Sequence, residues 1–172
     1  MERLTFRRAV PSELSRVMDI YAEARAFMHA HGNPLQWPEG YPPRAVIEAE
    51  LSAGVLFLAI DDEEIAAVFS FTVGREPVYD RIDGAWQGDG PYGFMHRLAV
   101  VKRGGGVGAA CLRFCFDGCH DLRVDTHRDN LPMQKLLQKC GFSYCGIVDY
   151  GGGETRLAYE KTVSQKATGF QP

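Results

Sequence analysis

The sequence has no surplus of charge of one sign. Its 19 lysines and arginines against 22 aspartates and glutamates leave a net charge of -3, which supplies no general pull toward nucleic acid or an anionic membrane. A phosphate-bearing ligand therefore needs a dedicated site. Nowhere does the chain reach the roughly 18 consecutive uncharged apolar residues of a membrane span. Met1-Glu2-Arg3-Leu4 puts charges where a secretory signal carries its apolar run, so a cytoplasmic protein is expected. The five cysteines are an odd number, none stands in a Cys-x-x-Cys pair, and 172 residues can bury a core without disulfide staples. Reduced thiols are the expected state. There is no internal repeat, and the length is too short for two full-sized domains, so one domain is expected over residues 1–163 and a tail with nothing to bury over 164–172.

What the chain does have is glycine and a regular succession of apolar patterns. Thr5 to Ala9 reads as a strand. Pro11 then opens a helix to about His31, with Leu14, Val17, Met18, Tyr21 and Met28 at helical spacing. Turns rich in proline and aromatics follow to Pro43, then a helix from Arg44 to Ala53 that Gly54 ends. Val55 to Ile60 and Ile65 to Val73 read as a hairpin across an acidic turn. Val78 to Pro91 is a glycine-rich loop, long enough to border a site. A strand from Phe94 to Val101, a helix after the glycines, a strand from Leu122 to Thr126, a helix from Asn130 to Cys140, and strands Phe142–Val148 and Arg156–Glu160 complete the chain. The order predicts an α/β (α+β) fold with a mixed, mostly antiparallel sheet of about seven strands and about four helices.

The segment from His96 to Ala110 carries the chemistry. A strand runs through Lys102-Arg103-Gly104-Gly105-Gly106-Val107-Gly108-Ala109 into a helix. Glycines let a backbone approach a ligand closely, and N–H groups at a helix start attract an anion. Lys102 and Arg103 add positive charge suited to a pyrophosphate.

Arg103-Gly-Gly-Gly106-Val-Gly108, preceded by Leu98-Ala99-Val100, resembles the Arg/Gln-x-x-Gly-x-Gly/Ala signature of the GNAT superfamily of N-acetyltransferases. Downstream, Asn130 followed by Leu136, Leu137 and Lys139-Cys140-Gly141-Phe142 is similar to that family's second motif. The resemblance covers roughly residues 5–160. It implies acetyl-CoA as co-substrate and no metal. Leu98, Ala99 and Val100 would lie along the pantetheine arm, Arg103, Gly104, Gly105, Gly106, Val107, Gly108 and Ala109 around the pyrophosphate, and Asn130 would help hold the arm. It also implies direct transfer of the acetyl group to the primary amine of a small molecule or peptide, and allows a homodimer.

Such a transfer needs a base to drain the ammonium and an acid for the departing thiolate. His96 is the first candidate base, because strand alternation puts it on one face with Leu98 and because arylalkylamine N-acetyltransferases resemble this arrangement. His127, in the titratable run Asp125 to Asn130, is the second. At the position where many family members have tyrosine stands Leu137, so Tyr144 is the candidate acid, ahead of Tyr92 and Cys140. His29, His31, Trp37 and Tyr41 are candidate linings of an acceptor pocket. Cys111, Cys115 and Cys119, four residues apart, read as a stripe packed on the sheet rather than as metal ligands. Two rival readings stand. Gly104-x-Gly106-x-x-Ala109 with Asp125 resembles a dinucleotide-binding fingerprint, and the missing tyrosine suits a CoA-binding or partner-binding fold without catalysis.

Overall fold

The computed structural model describes residues 4–163; the tail from Ser164 lies outside the described residues. The chain runs β1 (Thr5–Arg8), α1 (Leu14–Ala30), α2 (Arg44–Ala53), β2 (Leu56–Asp61), β3 (Glu64–Val73), β4 (Ile82–Gly84), β5 (Gly93–Val100), α3 (Val107–Cys119), β6 (Asp121–Thr126), α4 (Leu131–Lys139), β7 (Ser143–Asp149) and β8 (Thr155–Thr162). Local signals place most of these elements. Gly54 ends α2 in the left-handed conformation at φ +68°, where a side chain would be strained. The Asn130 side chain accepts the Met133 N–H and so caps α4, with Pro132 in the first turn. The α1 helix starts three residues later than expected because Pro11–Glu13 forms a 3-10 turn; there Glu13 accepts the Val10 N–H.

The strands form one sheet in the order β1-β2-β3-β5-β6-β8-β7-β4. Among the described residues only β5 and β6 pair in parallel, joined through α3. The expected count of about seven strands becomes eight among the described residues, because the loop expected from Val78 to Pro91 contains β4. It pairs with β7 through a crossing that tolerates no side chain: a Cβ on Gly84 would sit 2.1 Å from the Cys145 carbonyl, and one on Gly146 would sit 2.2 Å from that of Asp83.

The sheet is covered differently on its two faces. On one, α3 and α4 bury Val107, Cys111, Leu112, Cys115 and Leu137 against Phe69, Met95, Val124 and Tyr159. Cys111 and Cys115 thus belong to the core, and burial pushes the Cys111 thiol up to about 12. On the other face, α1 and α2 bury Val17, Ile20, Tyr21 and Ile47 over the β1-β2-β3-β5 half. The remaining half has no α-helix over it among the described residues. There the segment between β3 and β5 lies over β6, β7 and β8, with Tyr79 packed on Val148 and Ala158.

Charge holds that segment down. Buried Glu160 accepts Arg123 Nε at 2.8 Å and the N–H groups of Gln87 and Gly88, while Arg123 donates to the Gly88 carbonyl and lies against the rings of Trp86 and Tyr92 at 4.3 and 3.8 Å. Asp121 sits beside Glu160; burial, then the neighbouring carboxylate, raise its carboxyl to about 7. In an unfolded chain an aspartate titrates near about 3.9. The proton on Asp121 therefore stabilises the fold fully below about pH 4, and that contribution is lost as pH rises through about 7. Asp121→Asn should gain stability over the parent as pH rises from about 4 to about 7, with a level difference above; urea midpoints at several pH values check this.

Candidate active site

The site begins where β5 leaves β6. Their pairing holds through Gly93–Leu122, Phe94–Arg123 and Met95–Val124, yet β5 runs on to Val100 and β6 to Thr126. Beyond Met95 the two strands part, and a cleft lined by Leu98, Asp125, Thr126, Asn130 and Met133 opens between them. At the same point β5 carries a bulge. Its register against β3 moves from Ser70–His96 to Val68–Ala99, one extra residue on β5, and Arg97 sits at φ +53°.

The bulge corrects the alternation argument for His96. Met95 packs with α3 and α4, as do Leu98 and Val100, whereas Ala99 packs with α1 and α2. His96 pairs with Ser70 on that second face, so it and Leu98 lie on opposite faces. The His96 ring instead enters a cavity of about 350 Å³ with Trp37, Tyr41, Asp125, Tyr150 and Arg156 on its walls. Asp125, Arg97, Gln36 and Trp37 line both this cavity and the cleft, so the two adjoin.

Around His96 the side chains form a connected network. Nε2 lies 3.0 Å from Glu76 Oε2, and the bond from His96 holds the Glu76 carboxyl below the usual range. An ionised Glu76 only accepts, so in the neutral ring the proton sits on Nε2 and Nδ1 is left as an acceptor. Nδ1 is 3.9 Å from Asp125 Oδ2, which receives the hydroxyls of Tyr79 and Tyr150 at 2.7 and 2.8 Å. Burial, then the Asp125 charge, raise both phenols above their ordinary value, so both stay protonated. Arg97 turns to Glu50 and Tyr41 Oη.

The glycine turn lies at the other end of β5. Gly104, Gly105 and Gly106 all have positive φ, at +89°, +61° and +79°, with open space where a Cβ would stand. Three such residues in succession are accessible only to glycine at low cost, and they lead into α3, whose first N–H groups have no carbonyl a turn behind them. Lys102 is paired with Asp61 at 3.1 Å and Glu64 at 3.6 Å, so its charge is compensated. Arg103 lies 3.5 Å over the Phe27 ring. Gly108 serves packing, since its Cβ would meet Leu136 at 2.9 Å. Between turn and cavity, an apolar channel runs along Leu98 and Val100, bordered by Phe27, Met28, Asn130 and Met133. Ala99, which is 1% exposed and packs with α1 and α2, also borders it.

Not every candidate joins this arrangement. His127 is buried in the turn before α4, its Nδ1 accepting the Asp129 N–H at 3.1 Å; burial, then the charge of Arg156, lower its pKa. Tyr144 is 56% exposed on β7 and packs on Tyr159, which faces α3 and α4. Neither it nor Cys140 borders the cavity. Tyr92 accepts the Glu76 N–H and covers Arg123. His29 and His31 bond the carbonyls of Trp37 and Phe27, leaving Trp37 and Tyr41 as the predicted lining residues that reach the cavity. Glu76, Gln36, Tyr150 and Arg156 were not singled out from sequence.

The strand, turn and helix that end in a cleft between two parting parallel strands define an acetyltransferase architecture. The chain belongs to the acetyltransferase (GNAT) family, whose model matches residues 16–142. A GNAT-family acetyltransferase from Streptococcus agalactiae 2603 is 35% identical, with a TM-score of 0.85 over 94% of this chain and 96% of that one. Two more distant structures share the fold. A GNAT-family acetyltransferase of Listeria monocytogenes 4b F2365 has 16% identity, 92% and 94% coverage and a TM-score of 0.69. Arabidopsis thaliana NAA60 in complex with acetyl-CoA has 16% identity, 92% and 98% coverage and a TM-score of 0.63. No curated protein matches. The dinucleotide-binding reading falls with this assignment, because the one parallel pair is flanked by antiparallel strands and Asp125 holds two tyrosines. Among the described residues no helix is long and apolar enough to cross a membrane.

Asp125 also supports the fold. Removing it orphans the hydroxyl of Tyr79, a residue 2% exposed, so Asp125→Ala should cost about 1–3 kcal/mol. Adding Tyr79→Phe should restore part of that loss in a thermal denaturation series.

Proposed function

We propose that the protein is an N-acetyltransferase that moves the acetyl group of acetyl-CoA directly to a primary amine. The observation that carries the reading is the continuity of the glycine turn, the apolar channel along β5 and the cavity holding His96. A single ligand with a pyrophosphate, a pantetheine arm and a reactive end fits that succession. The chain's residues suit acetyl-CoA on two further grounds. The three left-handed glycines leave the start of α3 uncovered, and the parting of β5 from β6 frees one edge of the Leu98–Val100 backbone to pair with an amide-bearing arm. We assign the catalytic domain to residues 1–163 and the location to the cytoplasm.

Acetyl-CoA supplies the activated acyl group as a thioester. The Asn130 amide, which caps α4 and donates to Gln36 at 2.9 Å, borders the channel and helps position the arm. A backbone N–H near Leu98 meets the charge that develops on the acyl oxygen. His96 accepts the ammonium proton at Nδ1, directly or through water, and its bond to Glu76 fixes the ring and stabilises the charge it acquires. Tyr150, held by Asp125 at the cavity wall, takes the proton-return role in place of Tyr144.

Calorimetric titration with acetyl-CoA, CoA and NAD in parallel tests the assignment. Acetyl-CoA and CoA should bind and NAD should not, and Gly106→Glu, placing a carboxylate and a strained side chain in the turn, should abolish binding. Binding of NAD alone would refute the reading. With an amine that supports turnover, His96→Ala should lower kcat by about 10²–10⁴-fold with acetyl-CoA affinity retained. An unchanged kcat would remove His96 as base, and binding without turnover of any amine would leave a CoA-binding domain without catalysis.

A further inference from the structure

The cavity beyond His96 holds a charge that acetyl transfer itself does not use. Resting on the acetyltransferase reading, we propose that Arg156 is a carboxylate-binding subsite and that the acceptor is a small free amino acid, its amine at His96 and its carboxylate at Arg156.

Two guanidinium groups line the cavity. That of Arg97 is committed to Glu50, whose side chain is 12% exposed, and to Tyr41 Oη. Arg156 is held differently. Its side chain is 8% exposed, and two of its bonds run to backbone carbonyls that fix its plane: Nη1 to Thr155 at 3.1 Å and Nη2 to Gln36 at 3.3 Å. Its only carboxylate partner among the described residues is Glu154, 54% exposed and able to swing into solvent at little cost. A ligand carboxylate that replaces Glu154 meets a guanidinium already desolvated and oriented, the condition under which such a bond is strongest.

The cavity also carries a group of the opposite sign. Glu76 and Asp125 flank His96, and among the described residues no lysine or arginine is bonded to either. These carboxylates suit an ammonium group. Trp37, Tyr41 and Tyr150 wall the space between, whose volume of about 350 Å³ lies at the low end for ligand pockets. A polyamine would bring a second cation to Arg156, and a polypeptide N-terminus would bring a neutral amide there. A zwitterion brings one charge for each group.

The test measures acetyl transfer to individual L-amino acids, to their carboxamides and to the corresponding amines without a carboxyl group. At least one amino acid should show kcat/KM about tenfold or more above its carboxamide, since a site built around a charged partner rejects an analogue lacking it. Arg156→Gln should bring that ratio toward one through KM, and Arg156→Lys should restore part of it. Glu154→Gln, at an exposed position that leaves folding undisturbed, should lower KM for the acid by removing its competitor. Carboxamides or plain amines used as well as the acids, by the parent or with the ratio unchanged in Arg156→Gln, would overturn the subsite and leave the acetyltransferase intact. Acetyl-CoA binding with no transfer to any amine would overturn both.

Discussion

The separation of β5 from β6 after Met95–Val124 is the constraint on which the rest of the structure depends. Two parallel strands that stayed paired would bury both backbones and leave no cleft. Here the pairing stops after three registers, and the second half of β5 keeps a ladder only on its β3 side. Hydrogen-bonding groups left free in a groove need partners, and a groove bordered by apolar Leu98, Val100 and Met133 suits an amide-bearing, otherwise apolar arm. The bulge at Arg97 belongs to the same event. It adds a residue where the strand turns away and reverses the inward and outward faces, so that Leu98 serves the channel and His96 the cavity on the other side of the sheet.

That second face costs more to build than the first. The α3 and α4 side is apolar, whereas β6 and β8 present Asp121, Arg123, Asp125, Arg156 and Glu160 on the side without an α-helix over them. Buried charge without a partner is strongly destabilising, so each of these groups needs an arrangement of its own. Arg123 and Glu160 pair, take the backbone of residues 87 and 88, and stack on Trp86 and Tyr92. Asp125 takes two tyrosine hydroxyls. The covering segment is thereby tied to the sheet, and Glu76, at its beginning, is brought to His96. The stability of the far half and the position of the proposed base are products of one set of polar contacts.

Which parts of this were legible in the sequence follows from how local each signal is. The glycine turn, the Asn130 cap and the Gly54 stop of α2 rest on residues within a few positions of one another, and they appear where expected. The cysteine spacing correctly indicated a packed helix face. The bulge was not legible, because Arg97 carries no glycine to mark its positive φ; tertiary structure imposes that conformation. Glu76, Gln36 and Arg156 reach the site across 20, 94 and 120 positions of sequence, to His96, Asn130 and Gln36 respectively, separations at which spacing carries no information. The strand β4 was hidden for a similar reason, since its three residues are recognisable only with Gly146 opposite.

The leucine at the position where many family members have tyrosine follows from the same geometry. Leu137 is fully buried in the core between α4 and the sheet, where a hydroxyl would need a polar partner that an apolar surrounding does not provide. The opposite lip of the cleft is already rich in polar groups. Tyr150 stands there on a fixed acceptor, one bond from Asp125 and within the same network as His96. The proposed acid and the proposed base thus share Asp125 as a neighbour, with His96 Nδ1 3.9 Å from Oδ2 and the Tyr150 hydroxyl bonded to it. The leaving thiolate asks little of its acid, since a simple thiol ionises near about 8.5. Desolvation and the Asp125 charge make Tyr150 a weaker acid than a free phenol, so the departure of the thiolate relies chiefly on its own low basicity, and the α4 position is free to serve packing alone.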